Sequence, residues 1–132
     1  LLDAMQEGGA DFTLTFRKLS DAIRGDSTPA RQQFKNPELF NLWENNWRLR
    51  LEQEPIPNEN RAVEMDKINP IYIPRNHKVE EALSNAVDHG NLSVFEDMLS
   101  VISAPFEEVK GNERFAEPGP KTSVPYQTFC GT

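Results

Sequence analysis

The stretch Asn36-Pro-Glu-Leu-Phe-Asn-Leu-Trp-Glu-Asn-Asn-Trp-Arg-Leu-Arg-Leu51 decides the fold class. Asn suits a helix cap, Pro suits the first helical position, and an early Glu complements the positive end of the dipole. Leu39, Phe40, Trp43, Trp47 and Leu51 then recur at helical spacing. They predict an aromatic ridge on one face, with Glu44, Arg48, Arg50 and Glu52 directed elsewhere. A paired Trp ridge carries much apolar area, so Trp43 and Trp47 are expected to pack on another element. Glu54-Pro-Ile-Pro57 stops the helix.

Upstream, Asp11 or Thr13 caps a helix whose Phe12, Phe16, Leu19 and Ile23 fall on one face. Gly25-Asp-Ser-Thr-Pro29 is turn chemistry, and residues 30–35 carry no clear period. The opening LLDAM has no cap ahead of it. It reads as the inside of an element in a longer protein, ended by Gly8-Gly9.

Downstream, Asn58 or Asn60 opens a short helix through Val63, Met65 and Ile68. Pro70-Ile-Tyr-Ile-Pro74 reads as an extended connector lying in a groove between helices, because residues before proline avoid helical geometry. Asn76 is expected to cap a helix with Val79, Ala82, Leu83, Ala86 and Val87, stopped by Gly90. Asn91 or Ser93 starts another, with Leu92, Phe95, Met98, Leu99 and Ile102. So short a loop predicts an antiparallel hairpin. From Phe106 the periodicity disappears, and prolines and glycines mark an irregular tail. The expectation is an all-α domain of four to five helices over 1–105, with a tail over 106–132.

The chain has 132 residues, 37% of them apolar, enough for one small core. Mean hydropathy is −0.63, and no run approaches the roughly 18 apolar residues of a membrane span. The first residues lack the basic segment of a secretory signal. Fourteen basic against 21 acidic residues give −7, which disfavours nonspecific nucleic-acid binding. The basic groups Arg48/Arg50 and Lys67/Arg75/Lys78 are short and read as solvated helix faces. No nucleic-acid or membrane partner is therefore expected.

The chain has no phosphate-cradling glycine loop, no GxSxG and no HExxH. His77 precedes Glu80 and Glu81 by three and four residues, a spacing that also describes an ordinary charged helix face. No catalytic, cofactor or metal ligand is assigned. Arg75, at the end of the connector, is a candidate for gripping a carboxylate or carbonyl on a neighbouring element. Cys130 is the single cysteine, so it has no internal disulfide partner. It is either an inert terminal thiol or an accessible redox thiol.

Gly9-Ala-Asp-Phe-Thr-Leu-Thr-Phe-Arg17, Trp43 with Trp47-Arg48, and Asn69-Pro-Ile-Tyr-Ile-Pro-Arg-Asn-His-Lys-Val-Glu-Glu-Ala-Leu83 resemble the C-terminal region of the SelO (YdiU) family. Ala104-Pro-Phe106 and the ending Tyr126-Gln-Thr-Phe-Cys-Gly-Thr132 resemble it too. The resemblance implies part of a kinase-like protein adenylyltransferase, which moves AMP from ATP onto hydroxyl side chains of proteins with magnesium or manganese. The family's nucleotide-binding and catalytic motifs are absent from this chain. Its implied partners are the parent's catalytic domain, onto which Trp43, Trp47 and Arg75 are candidate contacts, and the parent's protein substrates. It also implies a redox role for Cys130 and a bacterial cytoplasmic location. The alternative is a free-standing helical interaction module.

Overall fold

A computed structural model describes residues 1–120, and every regular element among them is helical. They are α1 (Leu2–Gly8), α2 (Phe12–Arg24), α3 (Thr28–Arg31), α4 (Pro37–Leu51), α5 (Asn58–Ile68), α6 (Asn76–His89) and α7 (Ser93–Ser103), followed by a 3-10 turn, Glu113–Phe115. Seven α-helices stand where four to five were expected. The surplus comes from short pieces such as the four-residue α3, too brief to display a helical period.

Local chemistry accounts for most helix ends. Asp11 caps α2 by accepting the Leu14 amide at 2.8 Å. Asn36 caps α4 by accepting the Glu38 amide at 3.2 Å, with Pro37 in the first helical position. Asn91 accepts the Ser93 amide at 3.0 Å at the start of α7. Gly90 ends α6 at φ 63°, a left-handed conformation that costs glycine little.

Three caps depart from expectation. Leu92, and neither Asn91 nor Ser93, holds the cap position of α7, with Asn91 bonding the first helical amide from one residue further out. Pro57 holds the cap position of α5, and neither Asn58 nor Asn60 caps it. Asn76 is the first helical residue of α6 and supplies no side-chain cap. The extended backbone of the connector continues through Arg75, which moves the boundary one residue upstream. The Arg75 carbonyl accepts the amides of Lys78 and Val79, each at 2.9 Å.

The apolar side chains gather in two clusters. Met5, Leu19, Ala30, Phe34 and Phe40 form the first, between α1, α2, α3 and α4. Gly8 matters here, because a Cβ on it would lie 2.7 Å from the Phe34 ring. Trp43 and Trp47 flank this cluster half-buried, stacked on each other with centroids 4.9 Å apart. On α2, Leu19 and Ile23 are buried, but Phe12 is 63% exposed, against the expected single face. Its ring packs on Phe16 at the end of the helix.

The second cluster joins Ile71, Tyr72, Ala82, Met98, Val101 and Phe115. The connector therefore lies where its apolar side chains are covered. The Ile71 amide donates to the Pro105 carbonyl at 2.7 Å, and the buried Tyr72 hydroxyl accepts the Val109 amide at 3.1 Å. Phe115, beyond the last periodic residue, is 2% exposed and closes the cluster. α6 packs on α7 as the expected hairpin, while α2 packs on α5.

Candidate functional site

The connector delivers Arg75 to the junction between the two clusters. Its guanidinium meets Asp11 in a two-pronged pair, Nη1 to Oδ2 at 2.6 Å and Nη2 to Oδ1 at 2.9 Å. Nη2 also donates to the Ala116 carbonyl at 3.1 Å. Asp11 thus caps α2 and holds Arg75, while the Arg75 backbone opens α6. One ion pair ties two helix N-termini and the 3-10 turn together. Both side chains are mostly buried, at 11% and 14% exposure. Burial works to raise the Asp11 pKa, but the Arg75 hydrogen bonds, the Leu14 amide and the Arg75 charge together hold it below its ordinary value.

Open pockets flank this pair. One of about 360 Å³ is lined by Ile73, Pro74, Arg75, Asn76, His77 and Gly119, among others. The other, about 400 Å³, is bordered by Gly9, Asp11, Gln32, Gln33 and Gly119. His77 sits in the first turn of α6. Partial burial and the charges of Lys78 and Arg75 lower its pKa, against the opposing pull of Glu81 and Glu117. Glu81 is engaged by Lys78 and Arg114, each at 2.9 Å. Among the described residues, no three His, Cys, Asp or Glu side chains gather as a metal site.

A second polar centre was hidden from periodicity. Glu44, expected on an outer face, is buried at 6% exposure. Arg48 Nη2 donates to it at 2.6 Å and Nε at 3.0 Å, and the Ser27 hydroxyl donates to the same oxygen. Arg48 also reaches the Ala22 carbonyl at 3.1 Å, at the end of α2. The ridge of α4 faces the first cluster, and its carboxylate side faces the α2–α3 turn. The Arg48 charge and hydrogen bonds, with the Ser27 hydroxyl, make the buried Glu44 carboxylate tolerable there. A similar arrangement holds α5 to α2, where Asp66 accepts from Ser20 and Arg24, and Arg17 reaches the Asp66 carbonyl at 2.7 Å.

The basic residues singled out earlier all sit in ion pairs: Arg48–Glu44, Arg50–Glu54, Lys67–Glu64, Arg75–Asp11 and Lys78–Glu81. Trp43 and Trp47 lie against the first cluster with one side open. Cys130, Tyr126 and Phe129 lie outside the described residues. Among the described residues, no helix is long and apolar enough to cross a membrane.

These features define a helical segment held together by separate ion-pair centres at Arg75–Asp11, Arg48–Glu44 and Arg24–Asp66. No protein-family model matches the chain. It does match curated proteins along its whole length. It is 44% identical to the protein nucleotidyltransferase YdiU of Rhizobium johnstonii, covering 100% of this chain and 27% of that protein. It is 46% identical to the YdiU protein of Rhodopseudomonas palustris and 42% to that of Rhizobium meliloti, again over 27% of each. The chain is therefore a YdiU/SelO-family sequence, spanning about a quarter of the length of the curated relatives it matches.

Proposed function

We propose that this chain serves as the helical C-terminal region of a SelO-like protein adenylyltransferase, an enzyme that transfers AMP from ATP to protein hydroxyl groups. The observation that carries the reading is the similarity at 42–46% identity, which runs through the whole chain and reaches only 27% of the relatives. The described residues do not fit the magnesium or manganese ion that such chemistry uses. They offer no cluster of metal-ligating side chains, and their carboxylates at the two polar centres are taken by arginines. Nucleotide and metal belong, on this reading, to a kinase-like part elsewhere in the polypeptide. The role of this region is then mechanical. It packs on the catalytic part and holds it in shape.

The test is a chimera in which this chain replaces the homologous stretch of the Rhizobium johnstonii protein. The expected result is ATP-dependent nucleotide transfer to protein by the chimera and none by the 132-residue chain alone. A folded but inactive chimera, beside an active unaltered relative, would overturn the reading. Cys130 is proposed as a redox thiol of the same enzyme. Reductant should raise the activity of the chimera and leave its Cys130→Ser variant unchanged; an equal response of both removes that role.

A further inference from the structure

The α6–α7 hairpin is apolar on more sides than its own cluster uses. Val79 and Ala82 of α6, with Val94, Met98 and Val101 of α7, pack on Tyr72 and Phe115. Leu83 and Val87, one turn apart on α6, are 51% and 81% exposed. Phe95 and Leu99, one turn apart on α7, are 43% and 53% exposed, and Leu92 before them is 54% exposed. Exposed apolar side chains paired one turn apart on each helix, in addition to its packed side, are the kind of surface that marks an interaction site.

Building on the reading above, we infer that these outward sides of α6 and α7 form the surface against which the remainder of a YdiU-type polypeptide docks. The length of the relatives argues for this occupant, since this chain accounts for 27% of them and nearly three-quarters of their sequence lies outside it. A covalently attached partner is present at high effective concentration, so a modest apolar face suffices to hold it. Asp88 and Glu96 are exposed next to Val87 and Phe95. The docking surface is therefore apolar at its centre and acidic at its rim, and the face that covers it carries basic side chains opposite Asp88 and Glu96.

The experiment uses Val87→Asp and Leu99→Asp, in the 132-residue chain and in the chimera with the Rhizobium johnstonii protein. In the chain alone both positions face water, and the melting temperature should move by no more than a degree or so. In the chimera it should fall by about 5 °C or more, and the amides of α6 and α7 should exchange faster with deuterium. Val87→Ser and Leu99→Ser replace the Asp variants if those do not fold.

An unaffected chimera would overturn the inference, as would an equal loss in the isolated chain. So would a dimer of the isolated chain that these substitutions dissociate, because the occupant would then be a second copy. Nucleotide transfer by the unsubstituted chimera is scored separately. If transfer is absent but the stability loss appears, the docking face stands and the enzymatic reading falls. If transfer is present without a stability loss, the reverse holds.

Discussion

Arg75 closes on both carboxylate oxygens of Asp11, a residue 64 positions earlier, and the pair sits at the start of two helices at once. Removing the Arg75 charge leaves a mostly buried Asp11 carboxylate with a single amide donor. Arg75→Ala is expected to cost about 3 kcal/mol, the lower end for breaking a buried pair. Arg75→Lys should recover only part of this, because an ammonium does not span two oxygens as the planar fork does. Urea unfolding monitored by circular dichroism measures both; wild-type stability in Arg75→Ala would contradict the assignment.

Asp11 does two jobs that substitution can separate. Asp11→Asn keeps an oxygen for the Leu14 amide and loses the ion pair, whereas Asp11→Ala loses both. The Ala variant should be the less stable by about 1 kcal/mol, the usual worth of a helix cap. Asn76→Ala, at a position that supplies no side-chain cap, should change stability by less than about 0.5 kcal/mol, while Asn36→Ala should cost about 0.5–2 kcal/mol.

The same pair sets an acid limb. The Asp11 pKa is lower in the folded chain than its ordinary value of 3.8, despite burial, because Arg75 and the Leu14 amide favour the charged form. The unfolded chain therefore binds the proton first as pH falls. The stabilisation is fully present above the ordinary value and is lost as pH drops through it and on through the lower folded value. Unfolding free energies between about pH 5 and pH 2 should show a shallower decline for Asp11→Asn than for wild type. Parallel curves would show that Asp11 does not contribute. The Asp66 pKa is also lowered, by Ser20 and Arg24 against its own desolvation, so part of the limb should persist in that variant.

Two arginines two residues apart on α4 should differ sharply. Arg48 holds the buried Glu44, and Arg48→Ala should cost about 2 kcal/mol, the range for hydrogen bonds to a charged group. Arg50 pairs with Glu54 at 3.5 Å in the open, at 69% and 36% exposure, and Arg50→Ala should cost less than about 0.5 kcal/mol. Equal effects in thermal unfolding would contradict the buried network.

The aromatic ridge should also be graded by burial. Phe40 is fully buried, and Phe40→Ala should cost about 3–5 kcal/mol. Trp47 is half-buried and stacked on Trp43, so Trp47→Ala should cost less, about 2 kcal/mol. The comparison needs only melting curves of the two variants.

What the sequence determined by itself is what acts within a turn or two of chain. Asp11, Asn36 and Gly90 were legible as helix ends because a cap bonds backbone groups two to four residues away, amides at the N-terminus and carbonyls at the C-terminus. The connector 70–74 was legible because proline restricts its own neighbours, and the helical class followed from periodicity. Arg75 was legible as a gripping residue, but its partner was not. Tertiary structure alone brings Asp11 to it across 64 residues, buries Glu44 beneath Ser27 and Arg48, and sets Phe115 into the second cluster. It also splits the apolar positions of α6 and α7 into covered and open sides. A helical period reports that side chains share a face, whereas which face finds a neighbour depends on contacts between elements distant in the chain.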